Sequence, residues 1–68
     1  MTFFINGEKR QLTVDPPTLE SLFNVLSISP KMKIVELNKT LYRESDFCST
    51  HLKDGDVVEI VQFIGGGL

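Results

Sequence analysis

Residues 2–26, TFFINGEKRQLTVDPPTLESLFNVL, decide the fold class. Thr2 to Ile5 is β-branched and aromatic, Asn6-Gly7 is a strong two-residue turn signal, and Lys9 to Val14 alternates polar and apolar through Leu12 and Val14. This stretch predicts an opening β-hairpin. Asp15-Pro16-Pro17 then breaks the second strand, because proline cannot donate to a ladder and restricts the residue before it. Thr18 supplies an N-cap, and Leu19, Leu22, Phe23 and Leu26 recur at helical spacing. One amphipathic helix of about two turns is expected.

Beyond the helix, Ser29-Pro30 ends the region, Ile34 to Leu37 reads as a third strand, and Asn38-Lys39 turns into a short fourth through Leu41 and Tyr42. Glu44 to Lys53 is polar and reads as a loop with a helical turn. Asp54-Gly55-Asp56 is a turn, and Val57 to Phe63 is the last and most β-prone strand. One helix and five strands, with the helix available to cover one sheet face, make an α+β two-layer solution. The order resembles the β-grasp, or ubiquitin-like, fold: a mixed sheet of four to five strands with one main helix packed on one face. That resemblance, and not periodicity, implies that the last strand lies in the middle of the sheet.

With 68 residues the chain is one domain near the lower size limit for unaided folding, with no room for a separate catalytic domain. A hydrophobic content of 41% and a charged content of 24% argue for a folded protein over a disordered one. Seven basic against nine acidic residues give a net charge of −2, so nucleic acid is not an expected partner. A single cysteine, Cys48, excludes an internal disulfide and favours a reducing cytoplasm. Met1 opens directly into a strand and no apolar run approaches a bilayer's thickness, so neither a signal peptide nor a membrane partner is expected. The expected organisation is a folded body over residues 1–64 and a flexible tail over residues 65–68.

The chain closes on Ile64-Gly65-Gly66-Gly67-Leu68. Glycines after a buried strand have no side chain to pack and lose the most entropy on ordering, so a thin, extended tail is their simplest use. Such a tail can thread a narrow tunnel, and Gly65 to Gly67 would reach about 10 Å beyond the last strand. A terminal glycine also presents its carboxylate with no Cβ in the way. The plainer reading is a frayed end.

Val35-Glu36-Leu37-Asn38-Lys39, then Arg43, then Leu52-Lys53-Asp54-Gly55-Asp56-Val57-Val58-Glu59-Ile60-Val61, then Gly65-Gly66-Gly67 resembles the sulfur carriers of thiamine biosynthesis, the ThiS family. The small subunit of molybdopterin synthase, MoaD-like, is a neighbouring family that is usually longer and has proline before its glycines. Gln62-Phe63-Ile64 stands there in this chain. The resemblance implies a protein co-substrate, not an enzyme. An E1-like adenylyltransferase (ThiF-like) uses ATP to adenylate the terminal glycine, Gly67; sulfur from a donor such as a cysteine desulfurase then displaces AMP. The resulting thiocarboxylate passes its sulfur to a thiazole synthase (ThiG-like). No cofactor or metal is expected to be bound. Leu68 departs from the pattern, because with it attached Gly67 is tied up in a peptide bond; Gly67 can act only after the loss or absence of Leu68, whether that residue is a tag remnant or the end of a trimmed precursor. Sulfur delivery to molybdopterin, a ubiquitin-like protein modifier, and a plain interaction module are the alternatives.

Strand parity suggests a docking surface, because residues two apart share a face. Val58 and Ile60 fall on one face of the last strand; Glu59, Val61 and Phe63 fall on the other, with Glu59 marking the side in water. Phe3 and Ile5 point inward and Phe4 outward. If the first and last strands are neighbours, as the β-grasp implies, Phe4, Val61 and Phe63 form an exposed apolar patch beside the tail. Parity also places Gln62 inward, against its polarity. Cys48 and His51 are spaced so that a helical turn could join thiol and imidazole, but a loop cysteine beside a polar histidine is the better reading. Without a second cysteine or histidine a usual zinc site is excluded, and Asp54 and Asp56 read as a turn, not a cation loop. Lys53 and Arg43 are read as solvated surface cations.

Overall fold

Two tight turns with left-handed backbone set the hairpins at the two edges of the sheet. In a computed structural model that describes residues 1–63, Asn6 (φ 49°) and Gly7 (φ 82°) join β1 (Thr2–Ile5) to β2 (Glu8–Gln11). Asn38 (φ 48°) and Lys39 (φ 74°) join β3 (Lys33–Leu37) to β4 (Thr40–Arg43) in the same way. Positive φ at both central residues matches the right-handed twist of the flanking strands. The helix α1 (Leu19–Leu26) lies between the hairpins, and β5 (Val57–Gln62) follows a single 3₁₀ turn at Glu44–Asp46.

The five strands form one sheet in the order β2-β1-β5-β3-β4. β5 is central, parallel to β1 and antiparallel to β3, as the β-grasp resemblance implies. The body–tail boundary expected at residue 64 lies outside the described residues.

α1 begins where Thr18 Oγ1 accepts from the Ser21 N–H (3.2 Å). It ends at Ser27, whose left-handed backbone (φ 57°) lets its N–H reach the Asn24 and Phe23 carbonyls. Leu19, Leu22 and Phe23 are buried against Phe3 and Ile5 of β1, Val35 and Leu37 of β3, and Val58 of β5. Val14, Phe47 and Leu52 close the core from the connections. Phe47 stacks on Phe23 with ring centroids 5.0 Å apart and planes 14° apart, so the polar stretch after β4 buries one aromatic where sequence alone reads loop.

Two strands are shorter than expected. The second spans Glu8–Gln11 instead of Lys9–Val14, because β1 offers partners only from Ile5↔Glu8 to Thr2↔Gln11. After one more bond, Leu12 N–H to the Met1 carbonyl (2.9 Å), the chain turns and sends Val14 into the core. The last strand ends at Gln62, although the Phe63 N–H still reaches the Met32 carbonyl (3.1 Å).

Candidate functional site

α1 covers one face of the sheet, and the opposite face is open. Register assembles the open face in rows. Phe4 lies beside Val57, Glu59 faces Glu36, which faces Leu41, and Val61 faces Ile34, which faces Arg43. Phe63 and Met32 continue the series where β5 ends. Phe4, Val57, Val61 and Leu41 are 38%, 48%, 53% and 67% exposed. Four large apolar side chains thus stand in water on one sheet.

The structure puts Phe4 and Val61 on the face that parity assigns them to, but not side by side. The parallel register sets Phe4 against Val57, the first residue of β5. Val61 is four residues farther along, or about 13 Å, and Glu59 stands between them. Phe63 is half-buried beyond the strand end. The open face therefore holds two apolar patches, Phe4–Val57 and Ile34–Val61, separated by an acidic row. At the second patch Phe63 helps line a groove of ≈ 860 Å³ with Met32, Lys33, Ile34, Arg43 and Cys48. Gln62 is exposed on the helix side, in a shallow groove with Leu26, Ile28 and Ile60 past the end of α1. Inward parity costs Gln62 nothing there, because no helix covers it.

Two asparagines hold β5 in place. The Asn6 side chain takes the place of a backbone partner where β1 stops: its Oδ1 accepts from the Ile60 N–H (2.7 Å) and its Nδ2 donates to the Ile60 carbonyl (3.4 Å), while its own N–H donates to the Val58 carbonyl (2.9 Å). Asn38 does the same at the other end. Its Oδ1 accepts from the Val57 N–H (2.9 Å), and its Nδ2 donates to Asp56 Oδ1 (2.9 Å). Asp56 is buried at 3% exposure, and its other oxygen accepts from the Lys53 N–H (2.8 Å). The Asp54 carboxylate accepts from the Thr2 N–H. Both aspartates therefore close turns, which is the sequence expectation. Sequence reading assigns both asparagines to turns and not to a site; the signal for their further role is Asn at the first central position of each turn, where a side-chain amide at positive φ can reach the next strand.

Cys48 is exposed and lines the groove with Phe63, whereas His51 lines a separate depression with Tyr42 and Thr50. Thiol and imidazole do not share a site. Among the described residues no group of three or more His, Cys, Asp or Glu side chains is placed to hold a metal, and no helix is long and apolar enough to cross a membrane. Gly65, Gly66, Gly67 and Leu68 lie outside the described residues.

Comparison with known proteins agrees with this geometry. The model of the ThiS family matches residues 3–67. The sulfur carrier protein ThiS of Bacillus subtilis is 35% identical over 63 residues, which cover 93% of this chain and 96% of that protein. A thiazole synthase of Paramagnetospirillum magneticum is 37% identical over 67 residues; these are 98% of this chain but only 20% of the enzyme, so the chain spans a fifth of that relative's length. The crystal structure of a thiamine biosynthesis protein (ThiS) from Geobacter metallireducens superposes with a TM-score of 0.79 at 34% identity, covering 98% of this chain and all of that one.

Proposed function

The chain belongs to the ThiS family, the sulfur carriers of thiamine biosynthesis, and from that premise we propose that Gly67 is its working residue, carrying sulfur as a C-terminal thiocarboxylate. The supporting observation is that the family match runs through Gly67 and stops before Leu68. A carboxylate is a poor electrophile. In the proposed reaction a Gly67 carboxylate oxygen attacks the α-phosphorus of ATP on an E1-like adenylyltransferase, releasing pyrophosphate. Hydrosulfide then attacks the acyl carbon; the acyl C–O bond breaks, and AMP leaves with its electron pair. Where the donor is the persulfide of a cysteine desulfurase, the outer sulfur attacks in the same way to give an acyl disulfide, and a thiol reductant then cleaves its S–S bond to free the thiocarboxylate. The chain contributes an acyl terminus and a surface for partners to grip, and no side chain of it takes part in the chemistry.

A thiazole synthase is the proposed acceptor, a reading supported by thiazole synthases that contain a stretch similar to this chain. The proposed grip is the open sheet face around Ile34, Val61 and Phe63, where the described chain ends, with Phe4 in a second contact. Leu68 must be absent for any of this. The test is intact mass after incubation with the activating enzyme, ATP and sulfide, for the chain ending at Gly67 and for the chain ending at Leu68. Exchange of one oxygen for sulfur is expected in the first and no change in the second. A chain ending at Gly67 that never gains sulfur beside a competent partner refutes the proposal, as does full sulfur delivery after deletion of Gly66 and Gly67.

A further inference from the structure

Glu36 on β3 and Glu59 on β5 are direct cross-strand partners on the open face. The bonds from the Asn38 N–H to the Val57 carbonyl (2.8 Å) and from the Phe63 N–H to the Met32 carbonyl (3.1 Å) set the phase of this ladder. The phase makes Glu36 and Glu59 a hydrogen-bonded pair, with Cα atoms about 5.5 Å apart. Like charges placed directly opposite each other destabilise a sheet. Among the described residues neither carboxylate has an ion-pair partner; the one ion pair there joins Arg10 to Glu8 on β2 (3.7 Å). The chain therefore holds two repelling charges at the centre of its open face with no cation within ion-pair distance of either; Arg43, across from Ile34, lies one row away on the same face.

Their surroundings say what could cover them. Val57 and Val61 flank Glu59 along β5, Ile34 flanks Glu36 along β3, and Leu41 stands across from Glu36. A partner that buries these apolar side chains also strips water from both carboxylates. Burying unpaired charge is far costlier than the apolar contact returns, so a purely apolar partner surface is disfavoured. We propose that the open sheet face receives a partner surface that presents a cationic side chain, arginine by preference, seated over Glu36 and Glu59 between two apolar contacts. One contact meets Phe4–Val57 and the other Ile34–Val61, with the cation about 7 Å from each along β5. A guanidinium fits because its planar fork can donate to two carboxylates at once. This inference rests on the carrier reading and specifies the chemistry by which a partner recognises the carrier.

The experiment uses the full chain ending at Gly67 and, as the probe, the purified thiazole synthase of the same organism. Affinity is measured at low and high salt for the wild type, Glu59→Gln and the double variant Glu36→Gln with Glu59→Gln. Thermal midpoints of the free chains are measured alongside. The expected result is wild-type binding that weakens with salt, roughly tenfold weaker binding and a flattened salt dependence in the double variant, and a free-chain midpoint equal to or above that of the wild type. Binding loss with an unchanged or raised midpoint is what a merely structural role cannot produce. Wild-type affinity and salt dependence in the double variant overturn the inference, and so does a lowered midpoint that accounts for the loss, or a wild type that does not bind the probe. Failure of the carrier reading shows separately, as a chain that gains no sulfur with its activating enzyme whatever the two glutamates are.

Discussion

Replacing Asn6 with alanine tests whether a side chain finishes the sheet where β1 runs out. Two terms add. The Ile60 N–H loses its 2.7 Å acceptor, and a net hydrogen bond of this kind is worth about 1 kcal/mol. The second bond, at 3.4 Å, lies beyond good geometry and adds little. Alanine must also occupy φ 49°, where residues other than glycine, asparagine and aspartate pay roughly 1 kcal/mol or more. The sum is about 2 kcal/mol, or a fall in midpoint of about 8–16 °C for a domain of this size. Asn6→Gly separates the terms, since it keeps the backbone at ease and loses only the side-chain bonds; about 1 kcal/mol is expected. Urea unfolding gives both values, and amide exchange at Ile60 should speed up in both variants. If Asn6→Ala lies within about 0.5 kcal/mol of wild type, or the Ile60 amide stays as protected as before, the asparagine does not hold β5 and the reasoning is refuted.

Other positions give sharper signs. Lys39 sits at φ 74° and is exposed, so Lys39→Gly should relieve strain beyond its unfolded-state entropy cost and stabilise by about 0.5 kcal/mol, read as a raised urea midpoint with unchanged slope. Ser27 ends α1 at φ 57° with its N–H already bonded, so Ser27→Gly should stabilise by about 0.5–1 kcal/mol in the same assay. Phe47 is 2% exposed and stacked on Phe23. Phe47→Ala should cost about 3–5 kcal/mol, much of what a chain this short has, and appear as partly unfolded protein by near-ultraviolet circular dichroism at room temperature.

Sequence periodicity recovers what is local. The hairpin turns, the capped helix and the inward sets Phe3–Ile5 and Val58–Ile60 follow from spacing and residue type, because a strand's side chains alternate whatever its partner is. Axial register is different. Phe4 meets Val57 and not Val61 because the Phe4 N–H bonds to the Asp56 carbonyl (3.0 Å) and the Gly55 N–H to the Thr2 carbonyl (2.7 Å). These contacts join residues more than fifty positions apart, so no local window contains them. The same limit hides the Glu36–Glu59 pairing, since each glutamate alone reads as an ordinary solvated residue. Phe47 is missed for a related reason: one aromatic in a polar stretch has no period, and only its stacking on Phe23 identifies it as core.

The central position of β5 bears on how a carrier of this kind can work. A terminus offered to an active site must be positioned by something that does not yield, yet the last residues must be thin enough to enter. An edge strand would be held on one side only. β5 is held by β1 through Val57 and Val58, by β3 from Val58 to Gln62, and by Asn6 and Asn38 at the points where backbone partners run out. Rigidity therefore extends to Ile60 on one side and to Phe63 on the other. Loosening β5 at Asn6 should consequently disturb delivery of the glycines before it disturbs docking, whereas neutralising Glu36 and Glu59 should disturb docking and leave delivery at saturating partner intact. The two classes of variant thus separate in a titration of sulfur transfer against partner concentration: the first lowers the plateau, and the second shifts the midpoint. If both classes move the same parameter, the sheet face and the root of the tail are not independent, and the division of labour argued from β5 is wrong.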